Sequence, residues 1–118
     1  MSTRDLGKQG EEIATELLEK NGYQILQKNF RCKIGEIDII ALDQNTLVFV
    51  EVKTRWTKEY GLPEEAITPW KIRKIARVGE YYKLMHPKLP ELLRIDAVCI
   101  DLSNGLPGTA KIIKNLTG

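Results

Sequence analysis

Histidine and cysteine are scarce in this chain, and their scarcity excludes several kinds of site. The 118 residues include one histidine, His86, and two cysteines, Cys32 and Cys99. A structural zinc site needs about four Cys or His ligands in a tetrahedron, so one chain of this composition cannot build it. Nucleases and proteases that use paired histidines are excluded for the same reason. Two cysteines this far apart are typical of reduced thiols, which favours a cytoplasmic protein.

Long apolar runs and a large net charge are also absent. No segment approaches the roughly 18–20 apolar residues that span a membrane, and the polar residues 1–5 are not a signal peptide. The formal net charge of +2 is compatible with nucleic-acid binding but does not require it. With 42% hydrophobic and 29% charged residues, we predict one globular domain over residues 1–118, with no membrane partner.

Two neighbouring segments have the composition of a β-hairpin. Residues 36–42 and 47–53 are rich in β-branched side chains, and the short polar run between them favours a turn. If the hairpin closes symmetrically on that turn, Asp38 lies directly opposite Glu51.

This register predicts a cluster of charges on one face of the hairpin. Strand alternation places Glu36, Asp38, Glu51 and Lys53 together, and directly opposed Cβ atoms lie about 4.5–5.5 Å apart. Two carboxylates that close repel each other and resist burial unless a cation neutralises them. The alternative is an ordinary amphipathic hairpin with a Glu36–Lys53 ion pair in water. Apolar residues on the same face favour a cleft instead.

The residue types in this cluster predict its metal. Carboxylate oxygens and a backbone carbonyl suit a hard cation, Mg²⁺ or Mn²⁺, rather than zinc. Lys53, one step beyond the metal, would orient a water molecule or stabilise charge on a phosphate. Glu11 is a further candidate, because it lies at the border of the apolar stripe of the first predicted helix and could reach the hairpin acids. A glutamate favoured by the helix dipole is an equally good interpretation of Glu11.

The remaining periodicity predicts an α/β fold with the element order α-β-β-β-α-β-β. A first helix is predicted over residues 5–21 and ends at Gly22, and a second over residues 69–85 begins after the N-cap Thr68. Besides the hairpin, the predicted strands are Tyr23–Phe30, Leu92–Leu102 and Ala110–Leu116.

The second helix carries a cluster of basic residues. Four lie within seven positions, and the last three project away from the buried stripe: Lys71, Arg73, Lys74 and Arg77. Near a helix N-terminus such side chains can hold phosphates, and Arg55 beyond the hairpin would extend them into a basic rim. We therefore predict a nucleic-acid-binding surface. A solvated helix face is the alternative.

Two further groups of residues have a structural and a functional interpretation. Arg94 and Asp96 alternate within an apolar strand, which predicts an internal charge pair that supports the structure. Trp56, Tyr60 and Trp70 flank the basic segments, where they would either stack on unpaired bases or pack in the ordinary way.

The motifs in combination resemble those of a known family. The element order, with Asp38 and Glu51-Val52-Lys53 on the central hairpin, is similar to the restriction-endonuclease-like nuclease superfamily. A closer resemblance rests on the segments Gly10-Glu11, Phe30-Arg31-Cys32, Gly35-Glu36-Ile37-Asp38, Val48-Phe49-Val50-Glu51-Val52-Lys53-Thr54-Arg55, Thr68-Pro69-Trp70-Lys71 and Arg94-Ile95-Asp96. With these segments the chain resembles the YraN family, small bacterial proteins predicted to be nucleases related to archaeal Holliday-junction resolvases.

The resemblance implies a fold and roles for particular residues. The fold would be a restriction-endonuclease-like mixed central sheet flanked by helices. Asp38 and Glu51 would be metal ligands and Lys53 the catalytic lysine. Glu11 matches the first-helix acid of resolvases, and Lys71 matches a second-helix polar residue near the site.

The leading hypothesis is a Mg²⁺- or Mn²⁺-dependent endonuclease that acts on DNA, with branched or damaged DNA among its candidate substrates. Asp38, Glu51 and the carbonyl of Val52 would hold the metal. Because resolvase-like enzymes cut two strands symmetrically, the resemblance also suggests a homodimer. The alternatives are a non-catalytic nucleic-acid-binding or adaptor protein that retains the fold, and an interaction module that binds no nucleic acid.

Overall fold

Two helices, five strands and one 3₁₀ turn make up the fold in the computed structural model, which describes residues 3–117. In chain order these elements are α1 (Thr3–Lys20), β1 (Tyr23–Arg31), β2 (Glu36–Asp43), β3 (Thr46–Arg55), the 3₁₀ turn (Pro63–Ala66), α2 (Pro69–Met85), β4 (Leu92–Asp101) and β5 (Thr109–Ile113).

The five strands described form one mixed sheet whose spatial order follows their order in the chain. Neighbouring strands are antiparallel except β3 and β4, which run parallel. A parallel pair needs a long crossover, and the 3₁₀ turn and α2 supply it. The predicted fold class, an α/β fold with a mixed central sheet flanked by helices, is confirmed.

The helix ends follow the predicted local chemistry. Gly22 comes two residues after α1 and has a φ of +87°, a left-handed conformation that glycine adopts without a Cβ clash. The Thr68 hydroxyl accepts a hydrogen bond from the Lys71 amide at 3.2 Å, which caps α2 as predicted. Within residues 3–117, neither helix is long and apolar enough to cross a lipid bilayer.

The sheet has a hydrophobic layer on each face, and each helix covers one of them. On the first face α1 buries Ala14 and Leu18 against the middle of the sheet. On the second face α2 does the same with Ile75, Val78 and Tyr82. The strand residues in these layers are Ile39, Ala41, Val48, Val50, Val98 and Ile100 on the α1 side and Phe30, Ile37, Ile40, Leu47, Phe49 and Ile95 on the α2 side.

One buried acid is fully satisfied by protein donors. The Asp96 carboxylate accepts hydrogen bonds from the Tyr23 hydroxyl (2.7 Å), the Arg94 guanidinium (2.8 and 2.9 Å) and the Asn115 amide (2.9 Å). Arg94 also contacts Asp43 at 2.6 Å. The hydrogen bond to Asp96 raises the pKa of Arg94, so the guanidinium stays charged. The predicted charge pair of Arg94 and Asp96 is confirmed as part of the structural frame.

Replacing Asp96 with alanine should lower the free energy of unfolding by about 3 kcal/mol, because it leaves Arg94 and the Tyr23 hydroxyl without their buried acceptor. Urea unfolding measures this directly. Glu91→Gln is the matched control, since the Glu91 side chain is 89% exposed where it contacts Lys83, 3.3 Å away. That variant should unfold like the wild type. Equal midpoints for both variants would contradict the role assigned to Asp96.

Candidate functional site

The β2–β3 hairpin has the predicted register, but its ladder stops before the two acids. Pairing runs from the turn to Ile39 and Val50, in the register that the symmetric turn predicted. Beyond that pair, the Val52 amide donates a hydrogen bond to Asp38 Oδ2 at 2.8 Å. The Asp38 side chain therefore accepts a main-chain hydrogen bond at the place where regular pairing of β2 with β3 ends.

Side-chain alternation fails at Asp38, so the prediction that four charges share one face is wrong. Ile37 packs in the α2-side core beside Ile40, although regular alternation would put residues three positions apart on opposite faces. Opposite Asp38 in β1, Asn29 has a φ of +55°, and the pairing skips both residues. Asp38 consequently lines a cleft on the α1 side, whereas Glu51 lines one on the α2 side.

The carboxyl groups of Asp38 and Glu51 nevertheless meet at the end of the hairpin. They are close enough to share a hydrogen bond, and the Glu51 side chain is only 16% exposed. Burial, and then the charge of Glu51, raises the pKa of Asp38 from 3.8 to about 7, although the Val52 amide acts in the opposite direction. The protein alone therefore does not supply enough positive charge to keep the pKa of Asp38 at its ordinary value.

Two lysines stand beside this carboxyl pair. Lys53 Nζ lies 3.6 Å from Glu51 Oε1 and also contacts the Lys71 amine of α2. Burial alone would lower the pKa of Lys53, but the hydrogen bond to Lys71 and the charges of Glu51 and Asp38 outweigh it and raise the pKa. The pKa of Lys71 is lowered, first by its hydrogen bond to Lys53 and then by burial. Lys53 therefore holds its proton more tightly than Lys71 does.

Helix α1 brings Glu11 to the same region from the other face of the sheet. A Cβ on Gly10 would lie 2.6 Å from Thr54 Oγ1, so the missing side chain lets α1 pack closely on β3. Glu11 Oε2 accepts a hydrogen bond from the side-chain amide of Asn29 (Nδ2) at 3.5 Å. Glu11 Oε1 is buried without a hydrogen-bond partner among the described residues. An unsatisfied buried carboxylate oxygen is costly, which favours a cation or a donor at this place.

Two clefts meet at these residues. The α1-side cleft has a volume of about 840 Å³ and is lined by Glu11 and Asp38, among others. The α2-side cleft has a volume of about 470 Å³ and is lined by Glu51 and Lys71. Lys53 lines both clefts, and we call the place where they meet the cleft junction.

The predicted basic rim is divided by the structure. Lys71 and Lys74 line the α2-side cleft. Arg73 and Arg77 lie outside that cleft and line an adjoining groove instead. The four clustered basic residues of α2 therefore line two adjoining surfaces rather than one.

Arg55 is the predicted rim residue whose surroundings differ most from expectation. It is the last residue of β3, so its predicted place beyond the hairpin is wrong. Its guanidinium lies 2.8 Å from Asp101 Oδ2 and donates to the Gly61 carbonyl at 3.3 Å. Ser103, through its hydroxyl and amide, and then Arg55 lower the pKa of Asp101 to about 2. Arg55 thus joins the ends of β3 and β4 and lines neither cleft.

Three basic residues that line the clefts were not predicted from the sequence. Lys8 and Lys28 line the α1-side cleft, and Arg31 lines both clefts, 3.1 Å from the exposed Glu36. They come from α1 and from two positions in β1, so they form no local cluster of charges in the sequence. The one available signal was the place of Arg31 within a segment that carries the family resemblance.

The cleft junction suits a hard divalent cation. Mg²⁺ is usually held by one or two carboxylates and keeps several water ligands. Asp38 and Glu51 are such a pair, and the unpartnered oxygen of Glu11 is the kind of atom that a cation would satisfy. Within residues 3–117, no three acidic, histidine or cysteine side chains stand close enough to form a complete metal site. Water and main-chain oxygens would have to complete the coordination.

Sequence comparison assigns the chain to a family. The model described as "Uncharacterised protein family UPF0102" matches residues 10–100, which extend from α1 into β4. The chain belongs to the UPF0102 family. This is the YraN family, so the resemblance noted in the motifs is confirmed.

Similar UPF0102 proteins occur in several bacteria. A relative from Caldicellulosiruptor saccharolyticus is 52% identical over 98 residues, which cover 83% of each chain. One from Clostridium botulinum strain Kyoto is 46% identical over 116 residues, 95% of this chain and 93% of its own. One from Geobacter metallireducens is 41% identical over 107 residues, 91% of this chain and 88% of its own. All three carry the family designation, which states no activity.

In this UPF0102 protein, Asp38→Asn should stabilise the metal-free fold at alkaline pH. Because the pKa of Asp38 is higher in the folded chain than in the unfolded one, folding favours the protonated carboxyl. The wild-type carboxyl therefore destabilises the fold little at pH 4, and this destabilisation grows as the pH rises to about 7. Asp38→Asn should raise the free energy of unfolding by roughly 1–3 kcal/mol at pH 8 and change it little at pH 4.

Denaturant unfolding in EDTA at the two pH values measures this difference. Glu80→Gln, an exposed acid on α2, is the control and should show no such pH dependence. An Asp38→Asn variant that is less stable than the wild type at pH 8 would contradict the electrostatic account of the junction.

Proposed function

We propose that this protein is a metal-dependent endonuclease that hydrolyses phosphodiester bonds in DNA. The observation that carries the proposal is the half-buried pair of Asp38 and Glu51 beside Lys53, at the junction of two clefts. Like charges partly withdrawn from water are costly, and perturbed carboxylates of this kind cluster at functional sites. The basic residues that line both clefts favour a polyanion as the substrate.

The residues at the junction divide the chemistry between them. Asp38 and Glu51, with the carbonyl of Val52, would hold Mg²⁺ or Mn²⁺. When bound, the cation would polarise the scissile phosphate and lower the pKa of the attacking water. Lys53, whose pKa is raised beside Glu51, would stabilise negative charge on the phosphate oxygens. Lys71 would orient Lys53 through their hydrogen bond.

The arrangement of the clefts favours cleavage within a strand rather than at its end. Lys8 and Lys28 line one cleft, and Lys71 and Lys74 line the other. Since the clefts meet at the carboxyl pair, phosphates on both sides of the cut could be held at once. A substrate bound in this way passes through the site, as an endonuclease requires.

A second candidate is a nucleic-acid-binding or adaptor protein that keeps the fold without cleaving. It is favoured by the absence, within residues 3–117, of three side chains that could form a complete metal site. This candidate predicts DNA binding that depends on salt but not on divalent metal. The two candidates therefore differ in a measurement that needs no knowledge of the natural substrate.

The decisive experiment compares cleavage of labelled single-stranded, duplex, flap and four-way-junction DNA in Mg²⁺, Mn²⁺ or EDTA. We expect cleavage only with metal, and a loss of at least about 100-fold in Asp38→Asn and Glu51→Gln. Lys53→Ala should lose roughly 100- to 1000-fold because it removes a charge that acts on the transition state. Symmetric paired cuts in the four-way junction would fit the homodimer that the resemblance suggests.

Glu80→Gln is the matched control, since it removes an exposed acid that lines neither cleft, and it should cut at the wild-type rate. Unchanged cleavage by Asp38→Asn would refute the site. Binding of every DNA without any cutting would favour the second candidate.

Metal binding should also appear in the stability of the protein. A cation that binds only the folded state at about 100 times its Kd adds about 2.7 kcal/mol. The wild type should therefore melt at a higher temperature in Mg²⁺ than in EDTA, and the double variant Asp38→Asn/Glu51→Gln should not. An equal rise in both proteins would place the metal elsewhere.

A further inference from the structure

A large aromatic side chain stands exposed at the edge of the α2-side cleft. Trp70, the second residue of α2, is 60% exposed and belongs to neither hydrophobic layer. It lines the α2-side cleft together with Glu51 and Lys53, and it also lines the adjoining groove. The other tryptophan, Trp56, packs against the α1-side core. Trp70 is therefore not explained by the packing of the described residues.

The groove beside Trp70 is lined mainly by cations. Its volume is about 510 Å³, and its basic residues are Lys33, Arg73, Lys74 and Arg77. Within its lining there is no acidic side chain. The remaining wall is Ile34, an exposed apolar residue in the β1–β2 loop. We call this surface, with Trp70 at its border, the Trp70 groove.

Lys74 lines both the Trp70 groove and the α2-side cleft. Its ammonium lies 5.1 Å from the centre of the Trp70 ring, within the range of a cation–π contact. A Cβ on Gly35 would lie 2.9 Å from Lys74 Cε, so the glycine leaves room for the lysine stem against the β1–β2 loop. Both Trp70 and Lys74 line both surfaces. A ligand that follows the groove is thereby led to the carboxyl pair.

We propose that the Trp70 groove binds an unpaired segment of the DNA substrate, with one base stacked on Trp70 and the neighbouring phosphates held by the basic residues. This inference rests on the proposed function, because the groove opens into the cleft where cleavage is proposed. Sites for single strands combine a positively charged track with an aromatic platform for the bases. The Trp70 groove has both components on adjoining positions of α2 and the β1–β2 loop.

An unpaired strand fits these components better than a duplex does. In a duplex the base faces are already stacked, so a side chain can reach one only by unstacking a base step. A duplex would thus use the four cations but leave Trp70 without a partner. The substrate class inferred is DNA with a single-stranded segment next to the cut, such as a flap, an overhang or a single strand.

The test is the affinity of fluorescently labelled oligothymidylate, and of its duplex with oligoadenylate, measured by anisotropy in EDTA. Trp70→Ala should weaken binding of the single strand about 5- to 100-fold, because it removes one stacked base. Trp70→Phe keeps an aromatic face and should recover most of the affinity. Binding of the duplex should change much less in either variant.

Two control variants, Tyr60→Ala and Lys88→Gln, match the changes made at Trp70 and Arg73. Tyr60→Ala removes an aromatic ring that is 87% exposed but lies away from both clefts and the groove, and it should leave the affinity unchanged. Arg73→Gln should lower the slope of log K against log salt by roughly 0.7, the contribution of one phosphate contact on a single strand. Lys88→Gln, an exposed cation outside the groove, should not change the slope.

Several results would overturn the inference. They are an unchanged affinity of Trp70→Ala for the single strand, equal losses for single strand and duplex, and displacement of the single strand by polyglutamate in a manner that depends on Trp70. The last would point to an acidic protein as the occupant.

Cleavage with Mg²⁺, measured in parallel, separates failure of this inference from failure of the proposed function. If Trp70→Ala cuts single strands and flaps as the wild type does, the groove is wrong and the nuclease stands. If no DNA is cut but single-strand binding still depends on Trp70, the nuclease is wrong and the groove stands as a binding site.

Discussion

The hydrogen bond from the Val52 amide to the Asp38 carboxylate is the contact around which the candidate site is organised. It lies where regular pairing of β2 with β3 ends, so the acid occupies a gap in the ladder instead of a position on its surface. The same gap brings Asp38 against Glu51 and lets it line the α1-side cleft. In a continuous ladder the two carboxyl groups would share a face, and one cleft rather than two would have access to them.

Two carboxylates in the sheet have opposite surroundings. The buried Asp96 receives four hydrogen bonds, two of them from Arg94, so its charge is compensated within the fold. The half-buried Asp38 accepts one hydrogen bond from a main-chain amide and shares its surroundings with Glu51, while an oxygen of Glu11 has no donor among the described residues. One arrangement stabilises the protein, and the other leaves a requirement for positive charge that a ligand can meet.

The helices on the two faces of the sheet give the site its two sides. Close packing of α1 at Gly10 places Glu11 over the α1-side cleft, and the start of α2 places Lys71 beside Lys53. Each helix therefore contributes to binding as well as to the core. Because β3 is central in the sheet, with a neighbour on each side, Lys53 is held on a rigid element while both clefts open around it.

Local patterns in the sequence determined the element order, the hairpin register and the helix caps, because these depend on residues close together in the chain. They also placed Asp38 and Glu51 at matching positions of neighbouring strands. Only the tertiary structure decided that Asp38 turns to the α1 side, that Arg55 is engaged by Asp101, and that Arg31 borders both clefts. Each of these outcomes depends on a backbone irregularity or on a contact between elements distant in the chain. Short-range periodicity carries no information on such contacts, since it records which face of an element is buried but not what is packed against it.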